Sequence, residues 1–220
     1  MKDVVALSAG LGGQIVTVVP STVGNLIPTS TPENEWRWAV EELREVAAFA
    51  QEKGVRIALE PLNRFETYFL NRTDRALALA REVGYNCGIA FDVFHLALEE
   101  RDLFAAMRAC GPYIANVHVA DNNRLAPGDG SFDWPKIISV LAEIGYDGGV
   151  AVEFMPPIDR TPVGNFGQGQ LEKEITDVTP GQLQFIIDHG SGLLSESYYT
   201  QLMKRSAEIL LPYIIYYQRE

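Results

Sequence analysis

Four residues that metals favour recur along the chain at regular distances: Glu60, Asp92, His118 and Glu153. The intervals from 60 to 92, 92 to 118 and 118 to 153 are 32, 26 and 35 residues, each about one strand–helix unit. Each stands in or at the end of an apolar run, "RIALE", "GIAFD", "NVHVA" or "VAVEF". Three carboxylates and one imidazole form a mixed oxygen and nitrogen donor set, suited to Mn²⁺, Co²⁺ or Mg²⁺ rather than to a thiolate-preferring ion. Gathered in one pocket, the carboxylates would carry about −3 of charge, which is costly to hold without a cation.

A single acid at a strand end is ordinarily a solvent-facing loop residue or a helix cap, and a lone histidine is ordinarily a hydrogen-bonded core residue. Four such residues in successive units argue for one shared site. Two companions strengthen that reading. His95, three residues beyond Asp92 in "DVFH", is expected on the loop leaving the strand. Arg124, six residues beyond His118 in "HVADNNRLAPGDG", lies in a loop with enough Gly and Pro to keep a fixed shape. Both are expected to line the mouth of the site as donors to substrate oxygens; the plainer reading makes them exposed polar side chains.

These residues need strands to carry them. β-branched "QIVTVVPS" (14–21) reads as a strand, and a helix follows from about Glu33 to Lys53, closed by Gly54. "VRIALEP" (55–61) is the second strand, followed by a helix from Thr73 to Val83 with Thr73 or Asn71 as its cap and Gly84 as its stop. "CGIAFDV" (87–93), "YIANVHVAD" (113–121) and "GGVAVEF" (148–154) are the remaining strands. Helices are expected over 100–110, from Trp134 to Gly145, and from Ser195 to Tyr217. Near-continuous apolar strands alternating with helices predict an α/β fold with a parallel sheet, either doubly wound or a (β/α)8 barrel. In either, the strand C-termini lie on one face, so the four groups converge there. The Pro- and Gly-rich segment 156–181 reads as a long loop or lid.

Composition narrows the function classes. At 220 residues, 47% hydrophobic and 21% charged, the chain fits one large globular domain, 1–220. The net charge of −11 repels phosphate backbones, so no nucleic-acid partner is expected. No apolar stretch approaches the roughly 20 residues of a membrane span, and no export signal is evident, so a cytoplasmic protein with no membrane partner is expected. Cys87 and Cys110 read as two free buried thiols. The glycine-rich "SAGLGG" lacks the third glycine of a dinucleotide fingerprint and leads into a strand, so it reads as a turn.

The segments "LEPLNRFETYFLN", "FDVFH", "HVADNNRLAPGDG" and "EIGYDGGVAVEF" together resemble the D-tagatose 3-epimerase (D-psicose 3-epimerase) branch of the xylose isomerase-like TIM barrels, over about residues 14 to 155. The resemblance implies a metal-dependent isomerase that epimerises free ketoses at C3, with a small-molecule sugar as substrate and homo-oligomers compatible with it. It implies one divalent ion, Mn²⁺ first and Co²⁺ or Mg²⁺ as alternatives, held by Glu60, Asp92, His118 and Glu153. It also implies that Glu60 and Glu153 exchange the C3 proton on opposite faces of the sugar, through a cis-enediolate, and that Glu66, His95 and Arg124 bind the substrate's O1 to O3 region. A plainer reading of Glu66 makes it half of a local ion pair with Arg64.

The resemblance also predicts an incomplete barrel of about five parallel βα units, lacking the first three units of the family, with the chain starting inside what would be the third helix. Asp121 stands where relatives often carry a glutamate. Hydroxypyruvate isomerase or inosose dehydratase activity, or an inactive truncated remnant, are the alternatives. A DNA-repair endonuclease on the same barrel needs many histidines, and this chain has three, His95, His118 and His189.

Overall fold

The computed structural model describes residues 1–155 and 196–217, and the expected loop at 156–181 lies outside them. Helix α1 (Lys2–Gly10) leads into β1 (Ile15–Val18), α2 (Pro32–Glu52), β2 (Arg56–Leu59), α3 (Thr73–Val83) and β3 (Gly88–Asp92). There follow α4 (Val93–Glu99), α5 (Leu103–Cys110), β4 (Ile114–Val119), α6 (Trp134–Glu143), β5 (Val150–Val152) and α7 (Glu196–Tyr217). The sheet has five strands in the order β1-β2-β3-β4-β5, and each neighbouring pair from β1 to β4 is parallel. This is the expected α/β arrangement of five βα units.

Two compact units divide the chain. One comprises Met1–Val119 and Lys136–Ala151; the other comprises, among the described residues, Ala120–Pro135, Val152–Met155 and α7.

In the first unit, residues alternate across the sheet as the strand period requires. Ile57, Leu59, Ile89, Phe91 and Val117 are buried, as are the apolar stripes of α2 (Val40, Leu43, Ala47) and α3 (Ala76, Leu79, Ala80, Val83). The other sheet face carries small residues: Ala58, Ala90 and Ala115 form a buried cluster with Ile15 against it. Counting on by two from Ala58 and Ala90 reaches Glu60 and Asp92.

Between β3 and β4 the register shifts by one residue: Ile89 pairs with Ile114, but Ala90 pairs with Asn116 and Asp92 with His118. Without that shift Asp92 would stand beside Val117, and His118 would project from the opposite face. An irregularity in the ladder therefore gives the imidazole its side of the sheet.

Helix starts show where local reasoning succeeds and fails. The Thr31 hydroxyl accepts from the Asn34 amide at 3.3 Å with Pro32 in the first turn, and Gly54 (φ +70°) follows α2. At α3 neither expected cap serves. Arg72 occupies the cap position, and Glu100, 27 residues on, accepts from both the Thr73 amide and hydroxyl at 2.7 Å.

Both cysteines are free and buried, and desolvation pushes each thiol up to about 12. Among the described residues, no helix is long and apolar enough to cross a membrane.

Candidate functional site

Glu60 immediately follows β2, Asp92 ends β3, and His118 lies in β4, so three adjacent strands deliver three side chains to one place. Each offers a ligand atom within 4.8 Å of the others. His118 Nδ1 is 2.8 Å from Glu60 Oε1 and 3.9 Å from Asp92 Oδ2. Glu60 is 6% exposed and Asp92 0%. The Asn116 side-chain nitrogen lies 2.9 Å from His118 Nε2, steadying the ring from two residues back on the same strand face.

The donor set fits a divalent cation. It consists of two buried carboxylates and an imidazole with no thiolate, a mixed oxygen and nitrogen set that could hold such an ion. A nitrogen that ligates an ion must first give up any proton it carries, so ion binding here would compete with the 2.8 Å contact between His118 Nδ1 and Glu60.

His95 is not on a loop. Asp92 acts as the N-cap of α4, its Oδ1 accepting from the His95 amide at 3.0 Å, and this places His95 in the first turn of a helix. The expectation missed it because "DVFH" is too short for a periodic signal, whereas an Asp closing a strand can also open a helix. From that turn the buried His95 ring reaches back, with Nε2 3.9 Å from Asp92 Oδ2 and Nδ1 3.7 Å from Glu66 Oε1.

The local ion pair between Glu66 and Arg64 does not form. The Arg64 guanidinium donates to Glu99 at 3.0 Å, and the Glu66 carboxylate accepts from Asn63 Nδ2 at 2.8 Å. Asn63, passed over in the sequence reading, is 2% exposed and contacts both Glu66 and His95. Its place midway between Glu60 and Glu66 was visible in the sequence, but its burial and its partner 32 positions away were not.

The second unit brings Arg124 and Glu153 together. Arg124 Nη2 lies 3.2 Å from Glu153 Oε2, and the Met155 amide donates to the Arg124 carbonyl at 2.6 Å. Arg124 adopts φ +60°, a left-handed conformation that costs a non-glycine residue about 1 kcal/mol. The loop holds it there through the Arg124 amide donating to the Asp121 carbonyl (2.8 Å) and the Asp121 amide donating to the Leu125 carbonyl (2.9 Å).

Asp121 is the knot of this loop. Its Oδ1 accepts from the amides of Asn122 (2.9 Å) and Phe132 (3.0 Å); its Oδ2 accepts from the Gly128 amide and Trp134 Nε1, both at 2.9 Å. Burial pushes this fully enclosed carboxyl up, but the Trp134 and backbone donors outweigh it and hold its pKa below the usual carboxylate range. Gly130 sits so close that a Cβ there would stand 2.2 Å from Asp121 Oδ1.

Comparison with known proteins agrees with this architecture. The family model described as "Xylose isomerase-like TIM barrel" matches residues 1–169. A D-psicose 3-epimerase of Ruminiclostridium cellulolyticum is 37% identical over 126 residues, which cover 57% of this chain and 43% of that one. An L-ribulose 3-epimerase of Mesorhizobium japonicum is 32% identical over 147 residues, covering 66% and 50%. The crystal structure of D-psicose 3-epimerase with D-tagatose from Clostridium cellulolyticum H10 superposes with a TM-score of 0.70 at 28% identity, over 98% of this chain and 68% of that one. The chain spans about half the length of the curated relatives it matches.

Proposed function

We propose that this chain, which belongs to the xylose isomerase-like TIM barrel family, works as a divalent-metal-dependent ketose 3-epimerase. The observation that carries the reading is the convergence of Glu60, Asp92 and His118 from three neighbouring strands, with Glu66 and His95 beside them. Epimerase relatives at 32–37% identity support the choice of reaction within the family.

Glu153 joins the first three as the fourth ligand in this reading, one βα unit further along, and the ion is Mn²⁺, with Co²⁺ or Mg²⁺ able to replace it. A cation there would supply electrophilic stabilisation of the negative charge that develops as a carbon next to a carbonyl loses its proton. Glu60 and Glu153 are the two proton carriers, one removing the C3 proton and the other returning it from the opposite face of a cis-enediolate. Glu66 and His95 bind substrate oxygens, with Arg124 doing the same from its own loop. Arg124 also restrains Glu153 through their 3.2 Å ion pair, which keeps that carboxylate oriented between turnovers. Residues 1–220 act as a single functional domain in this reading, in the cytoplasm, with a free sugar as substrate and a homo-oligomer compatible with it.

The test is a product assay on purified protein loaded with Mn²⁺, using D-psicose, D-tagatose and L-ribulose, with hydroxypyruvate and inosose in parallel. Interconversion of a ketose with its C3 epimer, lost in Glu60→Gln and Glu153→Gln, is the expected result. Turnover of hydroxypyruvate or inosose with no ketose epimerised would replace this reading by another activity of the family.

A further inference from the structure

The side-chain amide of Asn63 has only one orientation that satisfies its neighbours. Its Oδ1 accepts from the Phe65 amide at 3.0 Å, so an acceptor must face that way. The opposite end lies 2.8 Å from Glu66 Oε1, and a carboxylate oxygen needs a donor. Both contacts demand the same assignment, with Nδ2 turned towards Glu66. That nitrogen is also 2.8 Å from His95 Nδ1, and it has a second hydrogen to give.

His95 Nδ1 therefore receives a donor, and the backbone amide of Asn63 is a second one, aimed at the same nitrogen from 3.4 Å. A ring nitrogen facing two N–H groups must offer its lone pair. The neutral imidazole then carries its proton on Nε2, the nitrogen that faces the carboxylate–imidazole cluster. There it lies 3.9 Å from Asp92 Oδ2, too far for a hydrogen bond between them. The ring cannot easily turn to escape this choice. Its backbone amide is tied to Asp92, Phe94 packs edge-on at 5.2 Å between ring centres, and both His95 and Asn63 are almost wholly buried.

We infer that Asn63 is a positioning residue that fixes the tautomer of His95, so that the imidazole presents an Nε2–H donor to a hydroxyl or carbonyl oxygen of the substrate. The same amide holds Glu66 beside the ring, so one residue orients two of the groups proposed to bind the sugar. The substrate half of this inference rests on the epimerase reading; the tautomer half does not. With the wrong tautomer, the ring would turn a lone pair towards the oxygens it should be binding.

Nitrogen-15 NMR of the metal-free 220-residue chain, labelled at histidine, reads the tautomer directly from the shifts of the two ring nitrogens. The spectrum is followed towards alkaline pH until the ring shifts no longer change, so that the neutral imidazole is the form read. The expected result is a pyridine-type Nδ1 and a pyrrole-type Nε2 for His95; a protonated Nδ1, or an even mixture, would overturn the assignment without any variant. Asn63→Asp replaces the donor facing Nδ1 with an acceptor. It should move the ring proton to Nδ1 and raise KM for D-psicose about tenfold, more than it lowers kcat, the loss expected for one hydrogen bond. An unchanged ring spectrum in that variant would show that Asn63 does not set the tautomer. If the wild type epimerises no ketose, the reading of the function falls, while the spectrum of the substrate-free protein still decides the role of Asn63.

Discussion

Glu60, Asp92 and His118 are carried by three neighbouring strands, whereas Arg124 is carried by a loop tied to one carboxylate. In the first region, position comes from the sheet: each backbone is paired on both sides, and losing one side chain leaves the others where they were. In the second, four donors separated by up to twelve positions in sequence meet on Asp121, and the left-handed backbone at Arg124 depends on the turn they close. Substitutions in the first region should therefore remove chemistry and spare the fold. In the second they should loosen the fold locally, and function should suffer as a consequence.

The comparison can be broken most decisively at Glu60. Glu60→Gln keeps shape and hydrogen bonding but removes the charge and the proton site that the proposed reaction requires of it, so kcat should fall about 10³-fold or more. Thermal unfolding should shift little; a large drop in Tm would mean that the sheet does not hold this region independently of its acids. Asp121→Ala should do the opposite. With four donors, among them the buried Trp134 indole, left without their acceptor, urea unfolding should show a loss of about 3 kcal/mol, and limited proteolysis should cut within 121–132.

A finer test is Trp134→Phe, which withdraws a single donor from Asp121 Oδ2 while Gly128 keeps its own. The expected cost is about 1 kcal/mol, and an effect as large as that of Asp121→Ala would place the loop's stability in the indole rather than in the carboxylate. The smallest effect is on acid sensitivity. Because the folded pKa of Asp121 is depressed, its contribution is complete above the unfolded value of about 3.9 and is lost as pH falls through the lower folded value. The stability difference between wild type and Asp121→Asn should stay flat from about pH 7 to pH 5 and shrink below about pH 4. A difference still constant at pH 3 would deny the carboxylate its role.

How much of this was legible beforehand depended on distance along the chain. Glu60, Asp92 and His118 could be found because one βα unit repeats and each repeat ends on the same face, so spacing alone located them. The five-strand parallel sheet was legible for the same reason. The register shift that puts His118 beside Asp92 was not, since nothing in "YIANVHVAD" marks where its neighbour slips. Partners were harder still. Arg64 went to Glu99 and not to the nearer Glu66, Asn63 to His95 across 32 positions, and Asp121 to Trp134 across 13. Such pairings depend on which loops are brought side by side, and composition and periodicity carry no record of that. Asn116 is the exception: a polar residue two before a histidine in an apolar strand shares its face by alternation and could have been named.

The cap on α3 bears on the order in which the chain acquires structure. Its first turn borrows Glu100, which leaves the ribosome 27 residues after the helix begins. Until β3 and α4 have been synthesised and folded back, the Thr73 amide has only water to satisfy it. Helix α3 should therefore fray at its start in any nascent chain that has not yet reached Glu100, and tighten as α4 docks. In refolding, substitutions at Glu100 should speed unfolding more than they slow folding, because the contact closes late.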